Sequence, residues 1–327
     1  MHSLVDPAIL FFLLGMGAGL LRSNLEIPPQ ISRFLSLYLL MALGLRGGFA
    51  LAQSGITGEI ASSLGIAIFM AIVVPILGYL FLKQFVSAYD ATGIAATYGS
   101  VSAVTFVTAV QYLESRQIPF GGYMAAAMAL MESPAIIVAV VLANLIRRRE
   151  TRLTRGRSGK PVKSRSIFTI LHESFTDGGQ VLLLGAMLVG ILSGVSGERA
   201  MHSFSEDLFK GMLAFFLLDM GLMTSRNLPE LRNRSPVLLA YAVVAPVLHA
   251  AIALGLAWFF AIPSGNATLL MILAASASYI AVPAVLRFAI PEADSSVYFG
   301  LSLGITFPIN ILFGIPIYSQ IAGLVLG

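Results

Sequence analysis

The chain has 327 residues, of which 57% are hydrophobic and 11% are charged. Soluble domains carry about 25% charged residues, so this composition excludes an ordinary soluble protein and indicates an integral membrane protein. The net charge of +4 comes mainly from one loop, which excludes a nucleic-acid partner as the reason for it. Because the chain contains no cysteine, disulfides, thiol catalysis and cysteine metal sites are excluded.

Apolar segments of about membrane-spanning length follow one another along the chain. In order they cover residues 6–21, 31–51, 60–82, 91–112, 121–146, 178–196, 206–224, 236–261, 267–289 and 296–325. The sequence therefore predicts an all-α integral membrane protein with about ten transmembrane helices. The first segment lacks the basic flank and the cleavage site of a secretory signal, and we interpret it as a span.

A strongly basic linker separates the first five spans from the last five. Residues 147–165 contain nine Lys or Arg and one Glu. By the positive-inside rule this linker is cytoplasmic, which predicts a plasma (inner) membrane protein with both termini outside. The predicted organisation is a first five-helix repeat at 1–146, the linker at 147–177 and a second, inverted five-helix repeat at 178–327.

Short motifs recur in the same order in the two halves. The matching pairs are LGL at 43–45 with MGL at 220–222, VVPILG at 73–78 with VAPVLH at 244–249, and GSVSAVT at 99–105 with ASYIAVP at 277–283. Since each half has an odd number of spans, homologous halves must lie in opposite orientations. The motifs predict a 5+5 inverted-topology repeat in which two interrupted helices cross near the midplane.

Two hydroxyl-rich stretches mark the interrupted helices. TYGSVSAVTFVTA at 97–109 contains a glycine, and AASASYIAVPAVL at 274–286 contains Pro283, which would remove a backbone hydrogen bond in mid-helix. A helix N-terminus inside the membrane offers N–H donors and a positive dipole to an anion. The predicted substrate-binding residues are Ser100, Ser102, Thr105, Ser276, Ser278 and Tyr279. Alternatively, such hydroxyls bond the preceding helical turn or serve helix packing.

Glu132 lies near the middle of the fifth span, where a charged side chain costs about 2.5–3.5 kcal/mol and should face protein or water. Its repeat equivalent is Thr306, and Asn310 follows one turn later. Because oxygen ligands suit hard cations, these three residues are predicted to bind a coupling sodium ion. Glu132 could instead carry a proton or donate a structural hydrogen bond.

Arg46 and Asp219 lie near the ends of predicted spans and are interpreted as structural or interfacial groups. The sequence motifs of ATP-driven transport and of metalloproteases are absent, and the four histidines lack metal-ligand spacing. The sequence therefore predicts that the protein is not an enzyme and that it needs no cofactor apart from a coupling ion.

Several segments resemble the SbtA-like sodium-dependent bicarbonate transporter family of the cyanobacterial type. They are YGSVSAVTFVTAVQYLESRQI, AAMALMESPAIIVAVVLANLIRRR, YAVVAPVLHAAIALGLA, AASASYIAVPAVLRFAIPEA and SVYFGLSLGITFPINILFGIP, within residues 10–325. The resemblance implies a core and a gate domain, a homotrimer, and sodium-coupled uptake of bicarbonate bound between the interrupted helices. It also implies a small PII-like cytoplasmic regulator in some members.

Departures from the family pattern bear on the substrate and the partner. Tyr279 stands where the family has an acid, and Arg46 stands where it has a small polar residue. The short basic linker argues against the PII-like partner and favours contact with anionic lipid. The predicted function is sodium-coupled uptake of bicarbonate or a similar small anion by alternating access. The alternatives are a proton-coupled or organic-acid carrier, and an anion channel or receptor that does not pump.

Overall fold

The computed structural model describes residues 6–54, 57–154, 178–231 and 234–327, and the secondary structure in these ranges is helical. The helices, in chain order, are α1 Pro7–Leu20, α2 Pro29–Ser54, α3 Gly58–Leu82, α4 Ala88–Gly99, α5 Ala103–Ser115, α6 Met124–Thr154, α7 Gly178–His202, α8 Phe209–Leu231, α9 Pro236–Phe259, α10 Ser264–Ala275, α11 Ala281–Ala289 and α12 Ser295–Leu326. Helix α12 contains the π-helical segments Ser302–Thr306 and Asn310–Gly314.

Within the described ranges, seven helical segments are long and apolar enough to cross a membrane. One of them, Val181–Pro229, includes both α7 and α8, and the apolar helices α1 and α10 are shorter. Exposed leucine, isoleucine, valine and phenylalanine side chains cover one face of α1, α3, α7 and α9, as expected for helices that face lipid. The chain is therefore an all-α, multi-pass membrane protein, while the number of ten spans stays a prediction.

Helix α6 continues beyond the predicted fifth span, which was expected to end at 146. Its last turns run to Thr154, so the first residues of the predicted linker are helical. Arginine, glutamate and leucine are good helix formers, and Arg147 is held by an ion pair with Glu292 and a hydrogen bond to the Ala289 carbonyl. The rest of the linker, residues 155–177, lies outside the described residues.

The predicted loop between the sixth and seventh spans is also helical. Helix α7 continues through the π-helical turn Ser203–Asp207, which leads into α8. Inside α7 the chain kinks at Gly194, whose φ of 52° lies in the left-handed region that favours glycine. The predicted ends of these spans at 196 and 206 were therefore wrong, because the polar residues between them continue a helical path.

The helices pack in two groups. Helix α1 packs along α8 and α2 along α7, and these four helices are called the paired group. The other helices pack mainly among themselves and are called the core group. Glycines bring the backbones of the paired group together, since a Cβ on Gly48 would lie 2.1 Å from the Met187 carbonyl oxygen. Such close contacts between small residues are typical of membrane helices.

Two helical paths of the core group are broken in the middle. Helix α4 ends at Gly99 and α5 begins at Ala103, while α10 ends at Ala275 and α11 begins at Ala281. The residues that cap α4 and α10, Ser100 and Ser276, have extended backbones with ψ of −174° and 166°. Both predicted interruptions are therefore present.

Candidate functional site

The two broken helices meet at their breaks. The Ser278 N–H donates to the Thr97 carbonyl oxygen over 2.8 Å, and the Ser102 N–H donates to the Ser276 Oγ over 3.0 Å. All four residues are buried. The contacts between the two breaks therefore pair the N–H groups of Ser278 and Ser102. Unpaired N–H groups would be costly here, because water is excluded.

Serine hydroxyls accept from the first turn of the helix that follows each break, and Ser102 is the N-cap of α5. The Ser102 Oγ accepts from the Thr105 N–H at 3.2 Å and from the Thr105 hydroxyl at 3.0 Å. The Ser278 Oγ accepts from the Val282 N–H at 3.2 Å. A serine cap of this kind stabilises a helix by about 1 kcal/mol. Ser102, which was predicted to bind substrate, is therefore also the N-cap of α5, while the N-cap of α11 is Ile280.

Pro283 is the third residue of α11 and lies within its first turn. The N–H groups of a first turn have no intrahelical acceptor, so a proline there removes no helical hydrogen bond. The expectation of a proline in mid-helix was therefore wrong. The interruption lies before Pro283, at residues 276–280, and is organised by the serines.

Helix α4 ends against α3 at a position that only glycine fits. A Cβ on Gly99 would lie 2.4 Å from the Pro75 Cδ and 2.6 Å from the Pro75 Cγ. Pro75 belongs to the motif VVPILG, which recurs as VAPVLH around Pro246. The glycine before the first break therefore permits close packing of α4 on α3.

A cavity of about 220 Å³ lies beside the crossing and is lined by both helix groups. The core group contributes the two breaks and Glu132 of α6, and the paired group contributes α2 and the start of α7. Arg33 and Gly178, which line one end, are exposed. Because α7 begins directly after the linker, the cavity reaches the surface on the linker side of the protein.

The N-termini of two half-helices border this cavity. Ala103 and Val104, the first residues of α5, line it, and so does Ile280, which precedes α11. The first N–H groups of a helix lack intrahelical acceptors and carry the positive end of the helix dipole. Arg33 adds a positive charge to the wall. This arrangement favours a small anion.

The six residues predicted to bind substrate divide into two sets. Ser102, Ser278 and Tyr279 line the cavity, and their role in substrate binding stays a prediction. The other three are buried at the crossing and lie outside the cavity wall; they are Ser100, Thr105 and Ser276. The rotation of each chain segment about the break decides which hydroxyl faces the cavity.

Tyr279, which stands in the place of an expected acid, joins the two helix groups. Its ring packs edge-to-face on Phe307 of α12, with 5.2 Å between the ring centroids. Its hydroxyl donates to the Met220 Sδ of α8 over 3.7 Å. The residue therefore presents an aromatic wall to the cavity where a carboxylate was expected.

The three residues predicted to bind the coupling ion occupy different surroundings. Glu132 lines the cavity. The Thr306 hydroxyl instead donates to the Ala242 carbonyl over 2.8 Å and lies 2.7 Å from the Tyr98 hydroxyl. Thr306 thus connects α12 to α9 and α4 through hydrogen bonds. Its role as a ligand of the coupling ion stays a prediction.

Three buried side-chain oxygens at the breaks lack a hydrogen-bond partner among the described residues. They are the Thr97 Oγ1, the Ser100 Oγ and the Asn310 Oδ1. The Asn310 amide nitrogen donates to the Ala275 carbonyl over 2.8 Å, which places the residue at the end of α10. A buried unpaired acceptor costs about 1–3 kcal/mol, and such oxygens are the ligands that hard cations prefer. Thr97 was missed by the sequence reasoning, although it opens the same hydroxyl-rich stretch.

Arg46 and Asp219, which were interpreted as structural or interfacial groups, each bond to side chains of other helices or turns. The Arg46 Nη2 lies 2.8 Å from the Glu114 Oε1, and the Arg46 Nε donates to the Glu206 Oε1 over 2.6 Å. The Asp219 carboxylate accepts a hydrogen bond from the Ser32 hydroxyl of α2. Neither side chain lines the cavity.

Apolar helices that surround a cavity at two crossed breaks are typical of membrane transport proteins. In agreement, the sequence matches the family model of the Na+-dependent bicarbonate transporter superfamily over residues 7–323. The chain belongs to this superfamily, which confirms the family resemblance and makes the protein a transporter rather than an enzyme. No curated protein matches the sequence.

Proposed function

We propose that the protein couples the uptake of bicarbonate, or of a similarly small anion, to the entry of sodium. The observation that carries this proposal is the main-chain contact between Ser278 and Thr97, because it places both broken helices at one cavity. A water molecule occupies about 30 Å³, so a cavity of about 220 Å³ has room for a small anion with several waters.

The anion would bind where donors and positive charge converge. The Ser102 and Ser278 hydroxyls, the N–H groups of Ala103 and Val104, and the Arg33 guanidinium all belong to residues of the cavity wall. Half-helix N-termini are the usual anion sites of transporters built from broken helices. Thr105 and Ser276 then hold the breaks in shape through their hydrogen bonds to Ser102.

The sodium ion would bind at the buried oxygens of the crossing. Thr97, Ser100 and Asn310 each supply an oxygen without a protein hydrogen-bond partner. Glu132 would supply a negative charge from the cavity wall. A sodium ion at these oxygens would satisfy the unpaired acceptors and attract the anion, which is the physical basis proposed for coupling.

The architecture proposed for this function is the inverted repeat. Helix α1 packs on α8, and α2 packs on α7. This reciprocal packing is expected if α1–α2 and α7–α8 are equivalent parts of two inverted repeats. The paired group would be the gate domain, and the core group would move against it to carry the cavity across the membrane. The same proposal includes a homotrimer, a cytoplasmic linker and both termini outside. We propose that the basic linker contacts anionic lipid rather than a PII-like regulator.

Uptake of labelled bicarbonate into proteoliposomes tests the proposal. We expect accumulation with an inward sodium gradient, and a large loss of sodium dependence in Glu132→Gln. The matched control is Glu198→Gln, which removes an exposed carboxylate whose hydrogen bond is to Gln53. Equal uptake when potassium replaces sodium would overturn sodium coupling, and the absence of uptake would overturn bicarbonate as the substrate.

A proton-coupled or organic-acid carrier is the second candidate, and the aromatic wall formed by Tyr279 favours it. In that case uptake would follow a pH gradient without sodium, and a carboxylic acid would compete with bicarbonate. A channel or receptor would give no accumulation against a gradient, so the same vesicles separate the three functions.

A further inference from the structure

Arg46 of α2 has one carboxylate partner in each helix group. Glu114, near the end of α5, belongs to the core group and lies 2.8 Å from the Arg46 Nη2. Glu206, in the turn between α7 and α8, belongs to the paired group and accepts from the Arg46 Nε over 2.6 Å and also from Nη2. The guanidinium also lies over the Phe209 ring, 4.8 Å from its centroid. Arg46 is therefore fixed within its own group and reaches across to the other.

This cluster lies on the side of the protein opposite to the linker. Helix α7 starts directly after the linker at Gly178, so the turn at its other end, which carries Glu206, lies on the far side. Among the residues that line the cavity, Arg33, Gly178 and Ile280 are exposed, and Arg33 and Gly178 lie at its linker end. On the far side a narrow gap of about 30 Å³ separates the groups, lined by Arg46, Glu114 and the buried Val110.

The ion pair between Arg46 and Glu114 is largely enclosed, since their side chains are 15% and 28% exposed. Opening the far side would separate these two charges. Arg46 would keep Glu206, which belongs to its own group, and Glu114 would meet water. An unpaired guanidinium inside the protein is strongly unfavourable, so the second carboxylate makes the separation feasible.

We propose that Arg46 and Glu114 form a latch that holds the core and paired groups together on the side opposite to the linker. Glu206 is the counter-ion that stays with Arg46 when the latch opens. The inference rests on the proposed alternating access, and it assigns a role to the residue at which this chain departs from the family pattern. Because the latch is ionic and partly solvated, it biases the two orientations without locking one of them.

The absence of cysteine from the chain makes a direct test available. Val110→Cys places one thiol on the wall of the far-side gap, where Val110 is 2% exposed. A membrane-impermeant maleimide is applied separately to each face of proteoliposomes, and the labelling rate is measured. We expect Glu114→Gln to raise labelling from the far side on the order of fivefold, which corresponds to about 1 kcal/mol, the upper range for a partly exposed ion pair.

Glu206→Gln is the matched control, because it removes a carboxylate from the same guanidinium but within one helix group. We expect it not to raise the labelling rate but to lower it, because Arg46 would lose the carboxylate that it keeps when the latch opens. An unchanged rate in Glu114→Gln would overturn the latch, and an equal rise in both variants would overturn it as well, since general loosening would then explain the rise.

Glu114→Asp gives a second comparison if the glutamine variant does not accumulate in the membrane. It keeps the charge but shortens the side chain, so we expect a smaller rise than in Glu114→Gln, and a rate at the level of the parent would overturn the latch. The labelling assay does not require bicarbonate transport. Failure of the latch and failure of the proposed substrate are therefore separate results.

Discussion

The N–H of Ser278 donates to the carbonyl oxygen of Thr97 over 2.8 Å, and this main-chain hydrogen bond joins the second break to the end of α4. Because it uses no side-chain atom, it persists when either side chain changes, provided that the backbones stay in place. In a low-dielectric interior both groups would otherwise be left without water, at a cost of several kcal/mol. The crossing is therefore a structural unit in addition to its proposed role in binding.

Ser276→Ala is predicted to damage this unit. The Ser276 Oγ is the acceptor for the Ser102 N–H, and its loss leaves a buried donor unpaired, at about 1–3 kcal/mol. We expect a lower melting temperature in detergent and an uptake rate reduced by about tenfold, which is the effect of about 1.4 kcal/mol. The control Ser193→Ala removes a hydroxyl that donates only within α7 and is expected to change neither measurement. Similar losses in both variants would contradict the prediction.

Two substitutions distinguish the contribution of the Tyr279 ring to stability from that of its hydroxyl. Tyr279→Phe removes the hydroxyl with its contacts to the Met220 sulfur, a weak acceptor, and to the Ser102 side chain, and we expect about 1 kcal/mol of destabilisation. Tyr279→Ala also removes the packing on Phe307 and leaves a void, for which we expect about 3–5 kcal/mol. Thermal unfolding of the two variants checks this order. A phenylalanine variant as unstable as the alanine variant would show that the hydroxyl carries the contact.

Gly99→Ala is predicted to disrupt the packing of α4 on α3. Its Cβ would lie 2.4 Å from the Pro75 Cδ, and relief of this overlap costs about 1–3 kcal/mol. Gly65→Ala, in α3, is the control because no atom lies within 4 Å of its new Cβ, and there the helix preference of alanine should stabilise by up to about 1 kcal/mol. The two melting temperatures should thus move in opposite directions, and a rise in both would contradict the steric argument.

An acid-sensitive contact is predicted in the loop between α11 and α12. Hydrogen bonds from Arg147 hold the pKa of Glu292 below its ordinary value. A lowered pKa in the folded state stabilises fully above the unfolded value of about 4.3, and this contribution is lost as the pH falls through the folded pKa. We expect the melting temperature to fall with acidification in this range, and Glu292→Gln to reduce the fall.

Arg147→Gln is the partner variant for the same measurement. Because both substitutions remove one ion pair, the double variant should show no larger change in the acid slope than either single variant. Additive changes would instead show that the two side chains act independently.

Local sequence was sufficient to predict the helical membrane class and the places of both interruptions. Runs of apolar residues require helices in lipid, and the clusters of hydroxyls around residues 100 and 278 marked the two breaks. The helix ends were less predictable. The residues after 196 continue α7 to His202 and then form the π-helical turn Ser203–Asp207, in which Glu206 pairs with Arg46, a residue remote in sequence.

The sequence by itself determined which segments are helices, where two of them break and to which family the chain belongs, since composition and local motifs carry that information. Only the tertiary structure decided that Ser102 and Ser278 face the cavity while Ser100 and Ser276 do not. It also showed that Pro283 lies in the first turn of α11, where a proline removes no helical hydrogen bond. The physical reason is that orientation about a break depends on hydrogen bonds between the two halves of the chain, which no local pattern encodes.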